Sequence, residues 1–140
     1  MTSIRLAETD ADIERTYDVM VQLRPHIPRE GYVDRIRRMQ TAGFLLAMVE
    51  YDGAVTTAAG FRIMEQLVVG RVLYVDDLIT DENLRSSGHG GQMLQWLRDY
   101  AKAENCASFE LDSGVWRAQA HRFYFRHGMT IMGFHFKVEL

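Results

Sequence analysis

A strand, a loop of small residues and the start of a helix follow one another between residues 72 and 97. The apolar, β-branched segment Val72–Ile79 predicts the strand. The loop that follows reads Arg85-Ser86-Ser87-Gly88-His89-Gly90-Gly91, and a helical pattern begins after it. Glycines allow the backbone to approach a ligand closely, and the N–H groups of a helix N-terminus attract anions. The segment therefore predicts a site for a phosphate-bearing ligand.

Two well-known phosphate motifs do not fit this loop. It lacks the Gly-Lys-Ser/Thr ending of a P-loop. It is not a dinucleotide fingerprint either, because His89 separates Gly88 from Gly90 and no regular alternation of strands and helices follows. Taken alone, the loop leaves two interpretations open, a phosphate site or an ordinary helix start in which the glycines serve packing.

The spacing within the loop adds information. The pattern Arg85-x-x-Gly88-x-Gly90 resembles the acetyl-CoA pyrophosphate loop of the GNAT superfamily of N-acetyltransferases, Gln/Arg-x-x-Gly-x-Gly/Ala. Downstream, the segment from Ala120 to Met129 is similar to that family's Ala-x-x-Phe-Tyr-x-x-x-Gly-Phe motif, with Met129 in place of Phe. Two motifs in the family's order are more specific than either one alone.

Composition is consistent with a single domain over residues 1–140. The net charge of −3 gives no basic field for nucleic acid or an anionic membrane. The one cysteine, Cys106, excludes an internal disulfide, and no apolar run approaches the ~18 residues of a membrane span. Without a signal-type N-terminus, a cytoplasmic setting is expected. The five scattered histidines form no cluster with Cys106 or with acids, so we expect no metal.

The coarse pattern predicts the order β-α-α-β-β-β-α-β-α-β. Strands are expected at residues 4–7, 44–51, 54–64, 71–80, 107–111 and 130–138, and helices at about 9–24, 29–41, 90–104 and 117–127. This is the order of the GNAT fold, an α/β structure with a mixed sheet. The resemblance implies that the fourth and fifth strands run parallel and then splay apart, which leaves a strand edge for an extended cofactor arm.

The resemblance also implies an activity and its parts. An acetyl group would pass from acetyl-CoA directly to a primary amine in a ternary complex. Backbone amides from Ser86 to Gly91, with the Arg85 side chain, would hold the pyrophosphate. The pantetheine arm would pair with the backbone around Leu78 and Ile79. Tyr124 stands where the family has the tyrosine whose hydroxyl meets the cofactor sulfur, although a helix tyrosine can equally be a core residue.

Two adjacent acids interrupt the apolar strand. Because side chains alternate along a strand, Asp76 and Asp77 are expected on opposite sides of the sheet, with at least one facing the substrate. The stretch is similar to the Glu-Asp pair of spermidine/spermine-type GNAT enzymes, in which the first acid relays the amine proton and the second attracts the cationic substrate. The alternative is that one Asp hydrogen-bonds a neighbouring loop or bulge.

Two residues depart from the family pattern. His89 stands where the family usually has an aliphatic residue, and it either packs beneath the loop or contacts the cofactor. Arg117 replaces an Asn that often contacts the cofactor arm, and it could instead reach a CoA phosphate.

Two functions remain open at this point. The first is an N-acetyltransferase for a small-molecule or protein amine. The second is a catalytically silent acyl-CoA sensor of the same fold, which would need neither Tyr124 nor the acid pair. In the family, the segment from Arg24 to Gly43 normally shapes acceptor choice, but its sequence here gives no readable code. A homodimer stays open as the assembly.

Overall fold

A computed structural model describes residues 1–140. The chain divides into two compact units, residues 1–110 and 111–140, and each is described by itself. In the first unit the elements are β1 (Thr2–Leu6), α1 (Asp10–Arg15), α2 (Tyr17–Leu23), α3 (Tyr32–Thr41), β2 (Phe44–Tyr51), β3 (Ala54–Gln66), β4 (Gly70–Thr80), a 3-10 turn (Glu82–Leu84), α4 (His89–Ala103) and β5 (Ser108–Leu111), whose last residue opens the second unit. The second unit contains α5 (Ala118–Arg126). The prediction of one domain over the whole chain stays a prediction.

Five strands form one sheet in the order β1-β2-β3-β4-β5. The first four are joined by antiparallel pairing. The Ala107 N–H donates to the Arg71 carbonyl at 2.7 Å, which joins the starts of β5 and β4, as in a parallel pair. Since β5 has only 4 residues and β4 has 11, residues 76–80 of β4 extend past the end of β5. The mixed α/β fold class is confirmed.

Helices cover both faces of this sheet. On one face, Ile13 of α1, Met20 of α2 and Ile36 of α3 pack with Phe44 and Leu46 of β2 in a buried cluster. On the other face, α4 buries apolar side chains at helical spacing, at positions 93, 94, 97 and 101. The Phe61 ring lies edge-on to Trp96 and Tyr100 of α4, at 6.4 and 5.3 Å between ring centroids. None of the helices has the length and apolarity that a bilayer crossing requires.

An ion-pair network fixes α1 to the edge of the sheet. The Arg5 guanidinium on β1 donates to both carboxylate oxygens of Asp12 at 2.6 and 2.9 Å. Arg5 and Arg15 both bind Glu50 of β2. The bond from Arg5 holds the pKa of Asp12 down to about 2. The stabilising effect of the ionised Asp12 is thus present at neutral pH and is lost only as the pH falls toward that value.

The helices differ from the sequence prediction at two places. The first predicted helix is divided into α1 and α2 at Thr16, because the Thr16 hydroxyl and amide both bond to the Ile13 carbonyl and tighten the turn there. The next helix begins at Tyr32 and not near Arg29, since Gly31 adopts a left-handed φ of 80° just before it.

The predicted final strand at residues 130–138 is wrong. Residues 129–140 of the second unit have no regular secondary structure, and the apolar side chains Met132, Phe134, Phe136 and Val138 are exposed. The alternation of apolar and polar residues is typical of a strand, but a strand also needs a neighbour to accept its backbone hydrogen bonds. The segment itself carries no information about such a neighbour.

Candidate active site

A β-bulge interrupts β4 at the acid pair. Gly60 of β3 pairs with Asp77, whereas the next residue, Phe61, pairs with Val75, so Asp76 is the additional residue of β4. A bulge of this kind bends its strand and redirects side chains. The expected alternation of Asp76 and Asp77 across the sheet is therefore wrong. Asp76 is itself the bulged residue, which neither the expected alternation nor the hydrogen-bonding alternative had described.

Both carboxylates lie on the face of the sheet that carries Phe44. A Cβ added at Gly60 would meet the Phe44 ring at 2.4 Å and Asp77 Oδ2 at 2.6 Å, so these two groups converge above the glycine. Asp76 Oδ2 accepts from Arg62 Nε at 2.7 Å, and the Arg62 guanidinium stacks 5.4 Å from the centroid of the Phe44 ring. The bulge thus brings two acids together on the side covered by α1, α2 and α3.

Each acid has an arginine partner. Arg24, which follows α2, donates through Nε to Asp77 Oδ1 at 2.9 Å and through Nη2 to the Asp76 carbonyl at 3.0 Å. The Asp77 side chain is only 15% exposed, compared with 26% for Asp76. Burial raises the pKa of Asp77 above its usual value, and Arg24 opposes that rise. Asp77 is therefore more easily protonated than an ordinary exposed aspartate.

A cavity of about 320 Å³ opens beside Asp77. We call it the α2–α3 cavity, because Met20 of α2 and Tyr32, Ile36 and Met39 of α3 form its walls together with Phe44. Its charged lining consists of Arg24, Arg35 and Asp77, with His26 as a further titratable group. The Tyr32 hydroxyl shares a 2.8 Å hydrogen bond with Thr16, which fixes the ring. The cavity is a mostly apolar pocket with one carboxylate in its lining.

The predicted phosphate loop forms the N-terminus of α4. Gly88 adopts a left-handed φ of 87° as the N-terminal cap, a conformation that favours glycine. The helical ladder begins with the Gln92 N–H donating to the Gly88 carbonyl at 3.1 Å. The amides of His89, Gly90 and Gly91 thus precede it and have no intrahelical acceptor.

The charges near this loop favour an anion. The first turn of α4 contains no acid, and Arg85 is exposed and forms no ion pair. Ser86 is exposed as well, whereas the Ser87 hydroxyl donates to the Leu84 carbonyl at 2.5 Å and shapes the turn. Leu78 and Ile79 lie in the part of β4 that extends past β5, and they pair with Ala59 and Ala58 of β3 on its other side. Free amides and an unpaired guanidinium at a helix N-terminus fit a pyrophosphate.

His89 packs beneath the loop. Its side chain is buried, and its ring lies 5.2 Å from the Tyr51 ring between centroids. Its Nδ1 atom is buried without a hydrogen-bond partner. Of the two roles that the sequence left open for His89, the packing role fits this environment.

Tyr124 and Arg117 both belong to the second unit. Tyr124 lies half-buried on α5, where burial raises the pKa of its hydroxyl and Arg117 opposes that rise. The phenol is thus protonated at neutral pH and able to donate. Arg117 is the N-terminal cap residue of α5, and its amide donates to the Gly114 carbonyl at 3.0 Å.

Comparison with known proteins identifies the family. The model of the acetyltransferase (GNAT) family matches residues 11–129. The chain belongs to the GNAT acetyltransferase family. An uncharacterized N-acetyltransferase of Bacillus subtilis, YhdJ, is 29% identical over 124 residues, with 87% of each chain covered. The predicted family and enzyme class, an N-acetyltransferase of the GNAT type, are confirmed.

Solved structures show the same fold at low identity. An aminoglycoside N-acetyltransferase, AAC(6')-Iy in complex with CoA, superposes with a TM-score of 0.88 at 14% identity, covering 100% of this chain and 95% of the other. Glucosamine-6-phosphate N-acetyltransferase from Arabidopsis thaliana gives a TM-score of 0.80 at 18% identity, with 99% and 98% covered. At these identities the likeness concerns the fold alone.

Sequence reasoning missed part of this GNAT site. Gly60 and Arg62 of β3 gave no signal, because a lone glycine and a lone arginine in a strand are uninformative until the register of the bulge is known. Phe44 reads as an ordinary core residue. Arg24 was placed only in the general acceptor segment, and its bond to Asp77 joins positions 53 residues apart in the chain.

The close contacts above Gly60 lead to a first prediction. Gly60→Ala should destabilise the protein by about 1–3 kcal/mol, because the added methyl group would displace the Phe44 ring and the Asp77 carboxylate. Urea unfolding measures this change. Gly133→Ala is the control, since a Cβ there meets nothing within 4 Å. Equal stability of the Gly60 and Gly133 variants would show that the space above Gly60 is not constrained.

Proposed function

We propose that this protein transfers the acetyl group of acetyl-CoA to a primary amine by direct attack in a ternary complex. The observation that carries the proposal is the α4 N-terminus with its unshared amides and the unpaired Arg85, in a chain of the GNAT family. Acetyl-CoA supplies an activated thioester. The protein's own task is therefore to position the amine against the thioester carbonyl, to stabilise the developing oxyanion and to move protons.

The proposed cosubstrate site runs along two elements. Backbone amides of the loop from Ser86 to Gly91 would hold the pyrophosphate, with Arg85 adding a charged donor. The edge of β4 at Leu78 and Ile79 would pair with the extended arm. His89 would support the loop from below through its packing on Tyr51. Arg117 is proposed to reach a CoA phosphate in place of the family's usual Asn.

The proposed acceptor site is the α2–α3 cavity. Its apolar walls would exclude water from the amine, and Asp77 in its lining can bind an ammonium group or take up its proton. Asp76 lies on the same face and would continue the path outward. By their names, two proteins of the same fold act on an aminoglycoside and on glucosamine-6-phosphate, both small amines, which supports a small-molecule acceptor over a protein.

Tyr124 is proposed as the group that protonates the leaving thiolate. The support is its place in the Ala120–Met129 motif and its protonated state, since burial raises the pKa of its hydroxyl. A protein that only sensed acyl-CoA would need no such donor.

The loop assignment predicts the effect of a carboxylate in the first turn of α4. Gly90→Glu should weaken acetyl-CoA binding about tenfold or more, through its bulk and through repulsion of the pyrophosphate. Isothermal calorimetry with acetyl-CoA measures the Kd. Gly90→Ala is the control for size without charge, and it should bind much more tightly than the Glu variant. Unchanged affinity in Gly90→Glu would exclude this loop as the pyrophosphate site.

Loss of the phenol should separate turnover from binding. Tyr124→Phe is expected to lower kcat by ~10²–10⁴-fold with little change in the Kd for acetyl-CoA, because only a proton donor is removed. Tyr100→Phe, in the half-buried tyrosine of α4, is the matched control and should keep its kcat. Retention of most of the turnover by Tyr124→Phe would assign the proton donor elsewhere, and an inactive parent that binds acetyl-CoA would favour the sensor.

The acid pair can be tested by its pH dependence. Protonation of Asp77 should reduce kcat/KM for the amine as the pH falls through its raised pKa, and Asp77→Asn should lack this decline while its acceptor KM rises. The Kd for acetyl-CoA should not change. Asp76→Asn, measured in parallel, separates the contributions of the two acids. If both variants match the parent from about pH 6 to 9, the pair serves structure alone.

A further inference from the structure

The α2–α3 cavity has an unbalanced charge. Arg24 and Asp77 are paired with each other at 2.9 Å, and Asp77 is the one acid in the lining. Arg35 on α3 also lines the cavity, is exposed and forms no ion pair. Nearby, Asp76 is already paired with Arg62 at 2.7 Å. The two carboxylates therefore have cationic partners, and one guanidinium remains without an anion.

Two neighbouring arginines, in contrast, are occupied by acids. Arg29 binds Glu14 at 2.7 Å and also contacts Asp18. Arg37 binds Asp10 through two nitrogens and donates to the Glu8 carbonyl. These two arginines hold α1, α2 and α3 together. Arg38 also lacks an ion pair, but it does not line the α2–α3 cavity.

A second cavity of about 300 Å³ adjoins the first, and the two share Ile27, Tyr32 and Arg35. We call it the outer cavity. Its lining includes both signs of charge, with Glu30 and Asp34 beside Arg35 and Arg38. The excess of positive charge is thus confined to the α2–α3 cavity, because its lining contains two arginines and a single acid, Asp77.

A purely cationic acceptor matches this charge pattern poorly. Any cationic group other than the reacting amine would be repelled by Arg35, whose charge no anion of the chain matches. We infer that the acceptor is a primary amine that carries an anionic group, a carboxylate or a phosphate, on a short apolar body. This inference rests on the proposed function. The amine would lie toward Asp77, the body along Met20, Ile36 and Phe44, and the anion against Arg35, whose planar fork suits either oxyanion.

The test compares acceptors that differ only in the anion. Aliphatic ω-amino acids of increasing length and the apolar α-amino acids leucine and phenylalanine are each assayed with acetyl-CoA beside the uncharged amide and the amine that lacks the group. Aminoalkyl phosphates of the same lengths form a second arm, which distinguishes phosphate from carboxylate. At least one acid or phosphate should exceed its matched amide and amine about tenfold or more in kcat/KM, measured by CoA release.

Arg35→Gln identifies the group that recognises the anion. In this variant KM for the preferred anionic acceptor should rise about tenfold with kcat nearly unchanged, whereas KM for the amide and the amine should not rise. Arg38→Gln removes a neighbouring unpaired arginine from the same helix and should leave the preference intact. Binding of the anionic acceptor to the CoA complex, measured by calorimetry, should weaken in Arg35→Gln and not in Arg38→Gln.

Three results would overturn the inference and leave the proposed amine acetylation standing. The first is that amines without an anion are acetylated as well as their anionic counterparts or better. The second is that Arg35→Gln impairs all acceptors equally, which would indicate a structural role for Arg35. The third is that calorimetry finds no difference between the two arginine variants. If acetyl-CoA binds but none of the assayed acids, phosphates, amides and plain amines is acetylated, the proposed amine acetylation itself fails, and the inference fails with it.

Discussion

The bulge at Asp76 is the constraint on which the proposed acceptor site depends. A single additional residue in β4 brings two neighbouring acids to one face of the sheet, opposite a glycine that leaves room for a ring and a carboxylate. Two carboxylates this close repel each other and resist burial. Arg24 and Arg62 offset that repulsion from two different elements, so the ion pairs and the bulge stabilise the same local geometry.

The backbone geometry of the proposed phosphate loop was predictable because it depends on neighbouring residues alone. Gly88 takes a left-handed φ, the free amides follow within the next three residues, and Arg85 precedes them by one turn. All of these features lie within seven consecutive residues, and each follows from the residue types themselves. The same holds for Asp52 and Gly53, which adopt positive φ at the turn between β2 and β3, since an Asp-Gly pair favours such a hairpin turn.

Features that depend on pairing between distant segments were not predictable in this way. A strand pattern is visible at Met132–Val138, yet whether a ladder forms there depends on a partner that the pattern does not specify. The faces of Asp76 and Asp77 followed from ideal alternation, and a shift of one residue in the register with β3 reversed that conclusion. The partners of the acids, Arg24 and Arg62, became known only with the folded backbone. The break at Thr16 arises from a side chain that competes with the helix for the Ile13 carbonyl.

The net charge of the chain and the charges left unpaired in one cavity point to different acceptors. A net charge of −3 and two adjacent acids in a strand are compatible with a cationic substrate. In the folded chain those acids are matched by arginines, and the unmatched charge in the α2–α3 cavity is positive. Net charge governs the long-range field, whereas recognition in a pocket is governed by the charges left unpaired within a few ångströms. The same two aspartates therefore have opposite implications for the acceptor, depending on whether their partners are known.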